Sequence, residues 1–413
     1  MGPKERKHTK LPNRTVILLA SAACVGLAGS VYIWSIFNIP LAEAHGWDVA
    51  SITFAYSLYL IFSAVAFFMA GALQQRFDPR AIAVVSGLVY GAGWFLAGAA
   101  QSLPVLYFGF GVLGGLGDGL FYNTALSVCQ AWYPDRRGFA SGVCVGAVGI
   151  VPMVFAPLGN LLIELFNVGM AFQICGVLFL LVLIACGPVL KMPPEGWAPE
   201  GWSAESEGAH EAVDLRMGQV VRTRLFWVIW VFMAFASVAG LMITAHASNI
   251  GQEVVGMDAS QAALQVSILA LANFAGRLGF GVLSDRIGRC NTLAIAMALT
   301  AMDLVFGFAI VRDFWTFSLV LAVAGACFGG VLAVMPALTA DVFGSKFFSQ
   351  NYALVYTGYT VASVLGPLLA SGALSLTGSY QAAFTAAGAA AVFAMALALV
   401  MKRVQVKTLP GRR

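Results

Sequence analysis

The feature that most constrains the fold is a series of twelve long apolar runs separated by short polar breaks. A helix needs about 20 apolar residues to cross the hydrocarbon core of a bilayer. Lipid offers no partner to an unpaired backbone amide, so the runs are expected to be helical. Strands of a membrane barrel would instead be about 10 residues long, with alternating polarity. The predicted spans are residues 15–40, 50–73, 80–101, 104–132, 138–164, 168–190, 225–250, 258–283, 290–311, 314–340, 348–374 and 380–401.

The distribution of positive charge predicts the orientation of these spans. Only 10% of the 413 residues are charged, against about 25% in soluble domains. Of 23 lysine and arginine residues, all except Arg277 and Arg312 lie in the two tails or at alternate loops. Because cytoplasmic loops collect lysine and arginine, both termini are predicted to be cytoplasmic. The net charge of +4 therefore anchors the topology and does not indicate nucleic-acid binding.

A polar stretch with several proline and glutamate residues separates six spans from six. We predict an N-terminal bundle over residues 1–190, a cytoplasmic linker over 191–224 and a C-terminal bundle over 225–413. The halves also resemble each other at a constant offset, as expected of a repeat of six spans related by an axis along the membrane normal. The matching positions are Gly71 with Gly281, Leu73 with Leu283 and Arg76 with Arg286.

Several motifs carry a family resemblance. The loop Gly281–Arg289, with the pattern Gly-x-Leu-Ser-Asp-Arg-x-Gly-Arg, resembles the signature loop of the major facilitator superfamily. The resemblance implies an all-α membrane protein with twelve transmembrane helices in two six-helix bundles, located in the plasma or inner membrane. Further segments resemble the monocarboxylate transporters and their bacterial oxalate–formate antiporter relatives, which implies alternating-access transport of small organic anions. These segments are Tyr32-x-Trp34, Trp132–Gly142, Asn273–Arg277, Asp341–Gly344 and Asn351-Tyr352.

Four positions depart from the family pattern. In the first half, Gln75 and Asp78 replace the acidic residue and the glycine of the signature loop. Asn273 stands where animal monocarboxylate carriers tend to place an aspartate. Tyr359 stands where the oxalate antiporter carries a lysine. The chain thus lacks the second cation that a close likeness to the antiporter would imply.

Arg277 is the single lysine or arginine deep within a predicted span. It lies about 12 Å along the helix from Asp285 at 1.5 Å per residue, and an arginine near mid-membrane costs at least ~2.5–3.5 kcal/mol. A guanidinium can donate two parallel hydrogen bonds to a carboxylate, so we predict that Arg277 binds the substrate anion. One cation matches a monocarboxylate better than a dicarboxylate. A structural arginine, paired with Asp118 or extended towards the cytoplasm, is the alternative.

Polar and aromatic side chains on other spans are predicted to complete the site. Asn273 lies one turn before Arg277 on the same helix face and could orient the guanidinium or bond the substrate. Asn123 is assigned the same role from span four. The tyrosines are as readily explained by packing or interfacial positions, and Phe328 by core packing. The predicted substrate-binding residues are Arg277, Asn273, Tyr122, Asn123, Tyr359, Tyr356, Tyr32 and Phe328.

Two side chains are candidates for carrying a proton. Asp118 lies among glycines in span four, where burial disfavours the charged form of a carboxylate. A fixed role in helix packing is the alternative. His246 is the one histidine within a predicted span, and an imidazole titrates near neutral pH. A solvated or capping histidine is its alternative, and Asp303 in span nine is assigned a structural role.

These features predict a secondary active transporter of a small, lactate-like or pyruvate-like monocarboxylate, coupled to a proton by symport. Moving one proton with one monoanion is electroneutral and does no work against the membrane potential. Exchange of organic anions of the oxalate–formate type is the alternative. The chain has no GxxxxGK[ST] loop for phosphates, no CxxC pair and no cluster of catalytic side chains. We therefore predict no enzymatic activity, no cofactor and no metal, with an organic anion, a proton and the bilayer as partners.

Overall fold

The computed structural model describes residues 13–194, 197–199, 214–307, 310–377 and 381–408. Within these ranges the chain forms twelve long helices, as the apolar runs predict. The helices are α1 (Arg14–His45), α2 (Val49–Leu73), α3 (Pro79–Gly98), α4 (Leu103–Trp132), α5 (Arg137–Leu165), α6 (Val168–Cys186), α7 (Arg224–Val255), α8 (Ala259–Ile287), α9 (Arg289–Gly307), α10 (Phe314–Phe343), α11 (Phe348–Thr377) and α12 (Gln381–Thr408).

The lengths and apolar character of the helices confirm the predicted membrane fold. Of the twelve long helices in the described ranges, eleven are long and apolar enough to cross a membrane by length and composition, and α11 is the helix that is not among them. Three of the helices include a segment that is not α-helical. α1 includes a 3-10 stretch over Ala28–Trp34, and α4 and α9 include π-helical stretches over Tyr107–Gly114 and Asp303–Gly307.

Polar side chains set many of the helix starts. The side chain of the residue before α2, α3, α6, α7, α8 and α10 accepts a hydrogen bond from a backbone N–H of the first turn. This supplies an acceptor to a donor that helix geometry leaves unpaired. α5 differs, because Arg136 precedes it and provides no such cap. The capping residues are Asp48, Asp78, Asn167, Thr223, Asp258 and Asp313.

The helices pack as two sets of six that repeat one pattern. In the first set α1 packs on α5, α2 on α4 and α3 on α6; in the second set α7 packs on α11, α8 on α10 and α9 on α12. Each pairing recurs six helices later, as the repeat in the sequence predicts. The boundaries of the two bundles and the linker stay predictions, since residues 195–196 and 200–213 lie outside the described residues.

The two bundles meet through α5 with α8 and through α2 with α11. Hydrogen bonds join the bundles in the cytoplasmic half of the molecule. The bundles are therefore closed against each other on the cytoplasmic side. This arrangement corresponds to an outward-facing conformation.

The start of α5 is held by an acid from the opposite bundle. The carboxylate of Asp285, at the cytoplasmic end of α8, accepts hydrogen bonds from the N–H groups of Gly138 (2.9 Å) and Phe139 (2.7 Å). Arg289 also donates to Asp285, at 2.5 Å. Asp285 thus supplies the cap that α5 lacks in its own bundle.

A second acid extends this cluster. Asp341, at the end of α10, accepts hydrogen bonds from Arg137 (2.7 Å) and Arg289 (2.8 Å). The side chain of Asp341 is 32% exposed, whereas those of Arg137 and Arg289 are 11% and 13% exposed. We call this group the charged contact, and its residues are Arg137, Gly138, Phe139, Asp285, Arg289 and Asp341.

Uncharged groups join α11 to the other bundle. The amide of Gln74 donates to the hydroxyl of Ser349 at 2.9 Å. The amide of Asn123 donates to the main-chain oxygens of Ser349 (2.9 Å) and Phe67 (2.8 Å). We call Gln74, Asn123 and Ser349 the neutral contact.

The end of the predicted linker lies beside the start of α11. The carboxylate of Asp214 accepts a hydrogen bond from the N–H of Lys346 at 3.1 Å. The next residue, Leu215, donates its N–H to the main-chain oxygen of Phe343 (3.0 Å) and accepts from the amide of Asn351 (2.9 Å). These bonds attach the end of the predicted linker to the C-terminal bundle and do not cross between the two bundles.

Candidate substrate-binding site

Arg277 is a buried cation with little protein bonding. It lies on α8, about 15 Å from the cytoplasmic end of the helix at 1.5 Å per residue, and is 7% exposed. Its Nη1 donates to the main-chain oxygen of Val145 on α5. Its Nε is buried without a partner, and no ion pair of the described residues includes it. The alternative of a permanent pair with Asp118 is therefore absent here, and the guanidinium keeps donors for an anion.

Three tyrosine hydroxyls lie within electrostatic range of this guanidinium. Its charge acts on the hydroxyls of Tyr122, Tyr352 and Tyr359, which come from both bundles. On α11, the ring centroids of Tyr356 and Tyr359 lie 4.8 Å apart. The ring of Phe67 on α2 stacks on Tyr356 at 5.0 Å, across the bundle interface. The site thus combines one cation with hydroxyl groups and an aromatic wall.

The exposure of the tyrosines changes with depth. Tyr32, on the 3-10 stretch of α1, is 53% exposed, while Tyr122 is 7% exposed and Tyr352 is 1% exposed. Tyr56 and Tyr359 are half-buried between these extremes. Tyr32 lies within electrostatic range of Tyr122 and Tyr359. Exposure therefore falls from Tyr32 towards the residues near Arg277, as expected along a binding site that is reached from the outside.

Three other predicted site residues have different surroundings. Asn273 is half-buried and donates to the main-chain oxygen of Gly325 at 3.2 Å, which links α8 to α10. Asn123 is fully buried, and its amide nitrogen is used by the neutral contact. Phe328 packs its ring against Gly240 inside the C-terminal half. In this conformation the amide of Asn123 bonds Ser349 and the ring of Phe328 packs on Gly240. The role of these two residues in binding substrate stays a prediction.

Asp118 lies in a polar layer inside the N-terminal bundle. Gly119 allows α4 to approach α2 so closely that a Cβ at this position would overlap the main-chain oxygen of Ser63. The Ser63 hydroxyl donates to one oxygen of Asp118 at 2.6 Å. The other oxygen is buried without a hydrogen bond of normal geometry from the described residues, and the Tyr59 hydroxyl lies close enough to interact with the carboxylate. The hydroxyls of Tyr59 and Tyr90 continue the layer, 3.5 Å apart. Asp118 thus retains an oxygen that can take a proton.

The remaining titratable candidates add little to this cavity. His246 lies in the helical backbone of α7, but its side chain is outside the described part of the structure. Asp303 lies in the π-helical stretch of α9, with one oxygen buried and unpartnered among the described residues. The role of His246 in proton coupling therefore stays a prediction.

Sequence reasoning missed three groups at the cavity. Tyr352 lies one turn before Tyr356 on the same face of α11, so helical spacing could have identified it. Tyr56 lies on α2 and interacts electrostatically with Tyr32 and Tyr359, but no local pattern distinguishes it from packing tyrosines. Val145 contributes its main-chain oxygen, and every residue type has such an oxygen, so the sequence gives no sign of this contact.

Comparisons with known proteins agree with this architecture. The family model described as Major Facilitator Superfamily matches residues 18–302 and 252–413. The oxalate:formate antiporter of Oxalobacter formigenes is 28% identical over 92% of this chain and 90% of the relative. Monocarboxylate transporter 12 of Rattus norvegicus is 27% identical over 90% of this chain and 83% of the relative.

A solved structure shares the fold. The crystal structure of the transporter FucP in the outward conformation aligns with a TM-score of 0.71 at 13% identity, covering 93% of this chain and 98% of that chain. The likeness of fold extends over nearly the whole molecule, and the family model spans both bundles. The chain therefore belongs to the major facilitator superfamily and is a multi-pass membrane transporter.

Proposed function

We propose that the chain transports a small monocarboxylate together with a proton by alternating access, with Arg277 binding the carboxylate. The observation that carries this proposal is a 7% exposed guanidinium with an unpartnered Nε and no ion pair among the described residues. A buried charge without a fixed counter-charge is unfavourable unless a ligand supplies one. The monocarboxylate transporter among the relatives supports the same class of substrate.

Charge balance favours a monoanion at this site. Hydroxyls such as those of Tyr122 and Tyr359 can donate hydrogen bonds to a carboxylate, but they do not neutralise a second negative charge. The aromatic wall of Phe67 and Tyr356 suits a short apolar body. A thermal-shift comparison of lactate, pyruvate, oxalate and malonate on purified protein tests this point, and we expect stabilisation by the first two.

Uptake of radiolabelled lactate into proteoliposomes tests the role of Arg277. Replacing one partner of a buried charged pair costs about 2–5 kcal/mol, so Arg277→Ala should lower uptake by at least about thirtyfold. Arg286→Ala is the matched control, because Arg286 is exposed in the cytoplasmic loop before α9. Unchanged kinetics in Arg277→Ala would refute the site.

Proton coupling is proposed for Asp118. Its buried, unpartnered oxygen supports this assignment, as does its position one helical turn before Tyr122. Asp118→Asn mimics the protonated side chain, so it should remove the stimulation of uptake by an acidic exterior while leaving exchange between lactate pools. If Asp118→Asn responds to the pH gradient as the wild type does, the proton is carried elsewhere.

Anion exchange is the second candidate function. It is supported by the 28% identity to the oxalate:formate antiporter over 92% of this chain. Vesicles preloaded with unlabelled anion separate the two modes. Uptake that requires internal anion indicates exchange, whereas uptake into empty vesicles under an inward proton gradient indicates symport.

A further inference from the structure

Arg277 and the main-chain oxygen that accepts its hydrogen bond belong to different bundles. The side chain projects from α8 in the C-terminal bundle, and the oxygen that receives its Nη1 hydrogen bond belongs to Val145 on α5 in the N-terminal bundle. The helices are close enough for this bond because α5 carries glycine at position 142, where a Cβ would lie 2.6 Å from the main-chain oxygen of Arg277. The candidate substrate cation is thus also a link between the bundles.

We infer that Arg277 is a tether which keeps the cytoplasmic side closed in the empty transporter and which the bound anion releases. The inference rests on the proposed function for the identity of the competing anion, but the tether itself is made of protein groups alone. The aromatic stack of Phe67 on Tyr356 crosses between the bundles beside it. The end of the cavity is therefore made of the same contacts that hold the bundles together.

An anion that binds first through the free Nε of Arg277 then competes with the Val145 oxygen for the rest of the guanidinium. That oxygen is an uncharged acceptor of a single bond, whereas a carboxylate offers two charged oxygens to the same fork, and charge-assisted hydrogen bonds are about twice as strong. A ligand shifts a conformational equilibrium by its differential affinity for the two states. Binding is tighter once Arg277 has left Val145, so the anion favours conformations in which the bundles have begun to separate on the cytoplasmic side.

Electron–electron distance measurement on purified protein in nanodiscs tests the tether without any substrate. Arg136→Cys and Arg286→Cys provide labelling sites, since both residues are exposed on the cytoplasmic side, one on each bundle. Cys186→Ala removes the half-buried cysteine, and the other cysteines are buried. A longer distance between the labels reports opening of the cytoplasmic side.

In the empty protein, Arg277→Ala should raise the ratio of open to closed molecules about tenfold, the effect of one hydrogen bond to a charged group. Arg277→Gln is measured alongside, because its shorter uncharged side chain tests the same bond if the alanine variant fails to fold. Gln265→Ala is the matched control. It removes another buried polar side chain of α8, whose hydrogen bonds to Phe314 and Ser318 stay within the C-terminal bundle. That control should leave the ratio unchanged.

An unchanged ratio in both Arg277 variants, or an equal rise in Gln265→Ala, would overturn the tether. A rise in the ratio of open to closed molecules that is confined to the Arg277 variants supports the tether, even if the protein transports no carboxylate. The tether and the proposed function can therefore fail independently of each other. Adding 10-fold excess lactate over its dissociation constant to the wild type should then move the ratio in the same direction as Arg277→Ala.

Discussion

The starts of α5 and α11 occupy equivalent places in the two halves, yet they are held by different chemistry. At α5, the backbone N–H groups of the first turn donate to the carboxylate of Asp285, which belongs to the opposite bundle. At α11 the equivalent loop residue is the exposed Gln75, and an acid reaches the start of the helix from Asp214 at the end of the linker. The connection between bundles on that side is left to the amide and hydroxyl of Gln74 and Ser349.

This contrast identifies the contact that favours the closed state. A carboxylate at a helix start pairs with amides that the helix leaves unsatisfied and interacts favourably with the helix dipole. When the carboxylate belongs to the opposite bundle, this stabilisation exists only while the bundles touch. When it belongs to the same half, it is present in both conformations and favours neither. We therefore expect the conformation closed to the cytoplasm to depend mainly on the charged contact.

The largest expected effect is that of Asp285→Asn. Hydrogen bonds to charged groups contribute about 1.5–3 kcal/mol, so loss of this carboxylate should increase opening roughly tenfold to a hundredfold. Hydrogen–deuterium exchange measured by mass spectrometry in nanodiscs would show faster exchange at the starts of both α5 and α11. Exchange rises at both helix starts because separation of the bundles exposes the backbone amides of each to solvent.

The neighbouring residue provides the control for this variant. Arg286 is exposed in the same loop, and Arg286→Gln should leave both segments unchanged. If Asp285→Asn accelerates exchange only at α5, Asp285 stabilises that helix locally and the comparison between the two contacts fails.

A smaller effect is expected for Asp341→Asn. Asp341 accepts from Arg137 and Arg289, but its side chain is 32% exposed, and exposed ion pairs contribute at most about 1 kcal/mol. Exchange at the two helix starts should therefore rise about fivefold. Because the Debye length falls to about 3 Å at 1 M salt, high salt should produce a similar change in the wild type. An effect as large as that of Asp285→Asn would contradict this ranking.

Asp214→Asn distinguishes the linker from the charged contact. It weakens the bond to the Lys346 N–H, and loss of one capping interaction of about 1 kcal/mol or less should accelerate exchange about threefold at residues 345–351. Exchange at the start of α5 should not change, because the bond between Asp214 and Lys346 ties the end of the linker to the C-terminal bundle and does not reach the N-terminal bundle. Faster exchange at α5 would show that the linker also holds the bundles together.

Much of the fold follows from the sequence because its signals are local. Each apolar run is long enough to span a bilayer, and caps such as Asp48 and Asp258 mark where helices begin. Arg277 is also identifiable, since a charge within an apolar run is energetically expensive wherever the helix packs. These inferences need no knowledge of which helices meet.

The rest of the site depends on contacts that no local pattern encodes. Arg277 bonds a main-chain oxygen of Val145, and Asn123 bonds a main-chain oxygen of Ser349. Both bonds cross between bundles and exist in one conformation of the molecule. The sequence predicted Asn123 for the cavity because it is polar and mid-span, but which polar groups face substrate is decided by how the bundles close.

The smallest effect is expected for Ser349→Ala in the neutral contact. The amide of Gln74 would lose its 2.9 Å bond to Ser349 but keeps the Thr124 hydroxyl at 3.4 Å. Asn123 bonds the main-chain oxygen at position 349 and is unaffected by the side chain. Exchange at the start of α11 should therefore rise only about twofold, near the lower end for one neutral hydrogen bond. Combined with Asp285→Asn, the two changes should multiply if the contacts act independently; a double variant no more open than Asp285→Asn alone would mean that the neutral contact adds nothing once the charged contact is lost.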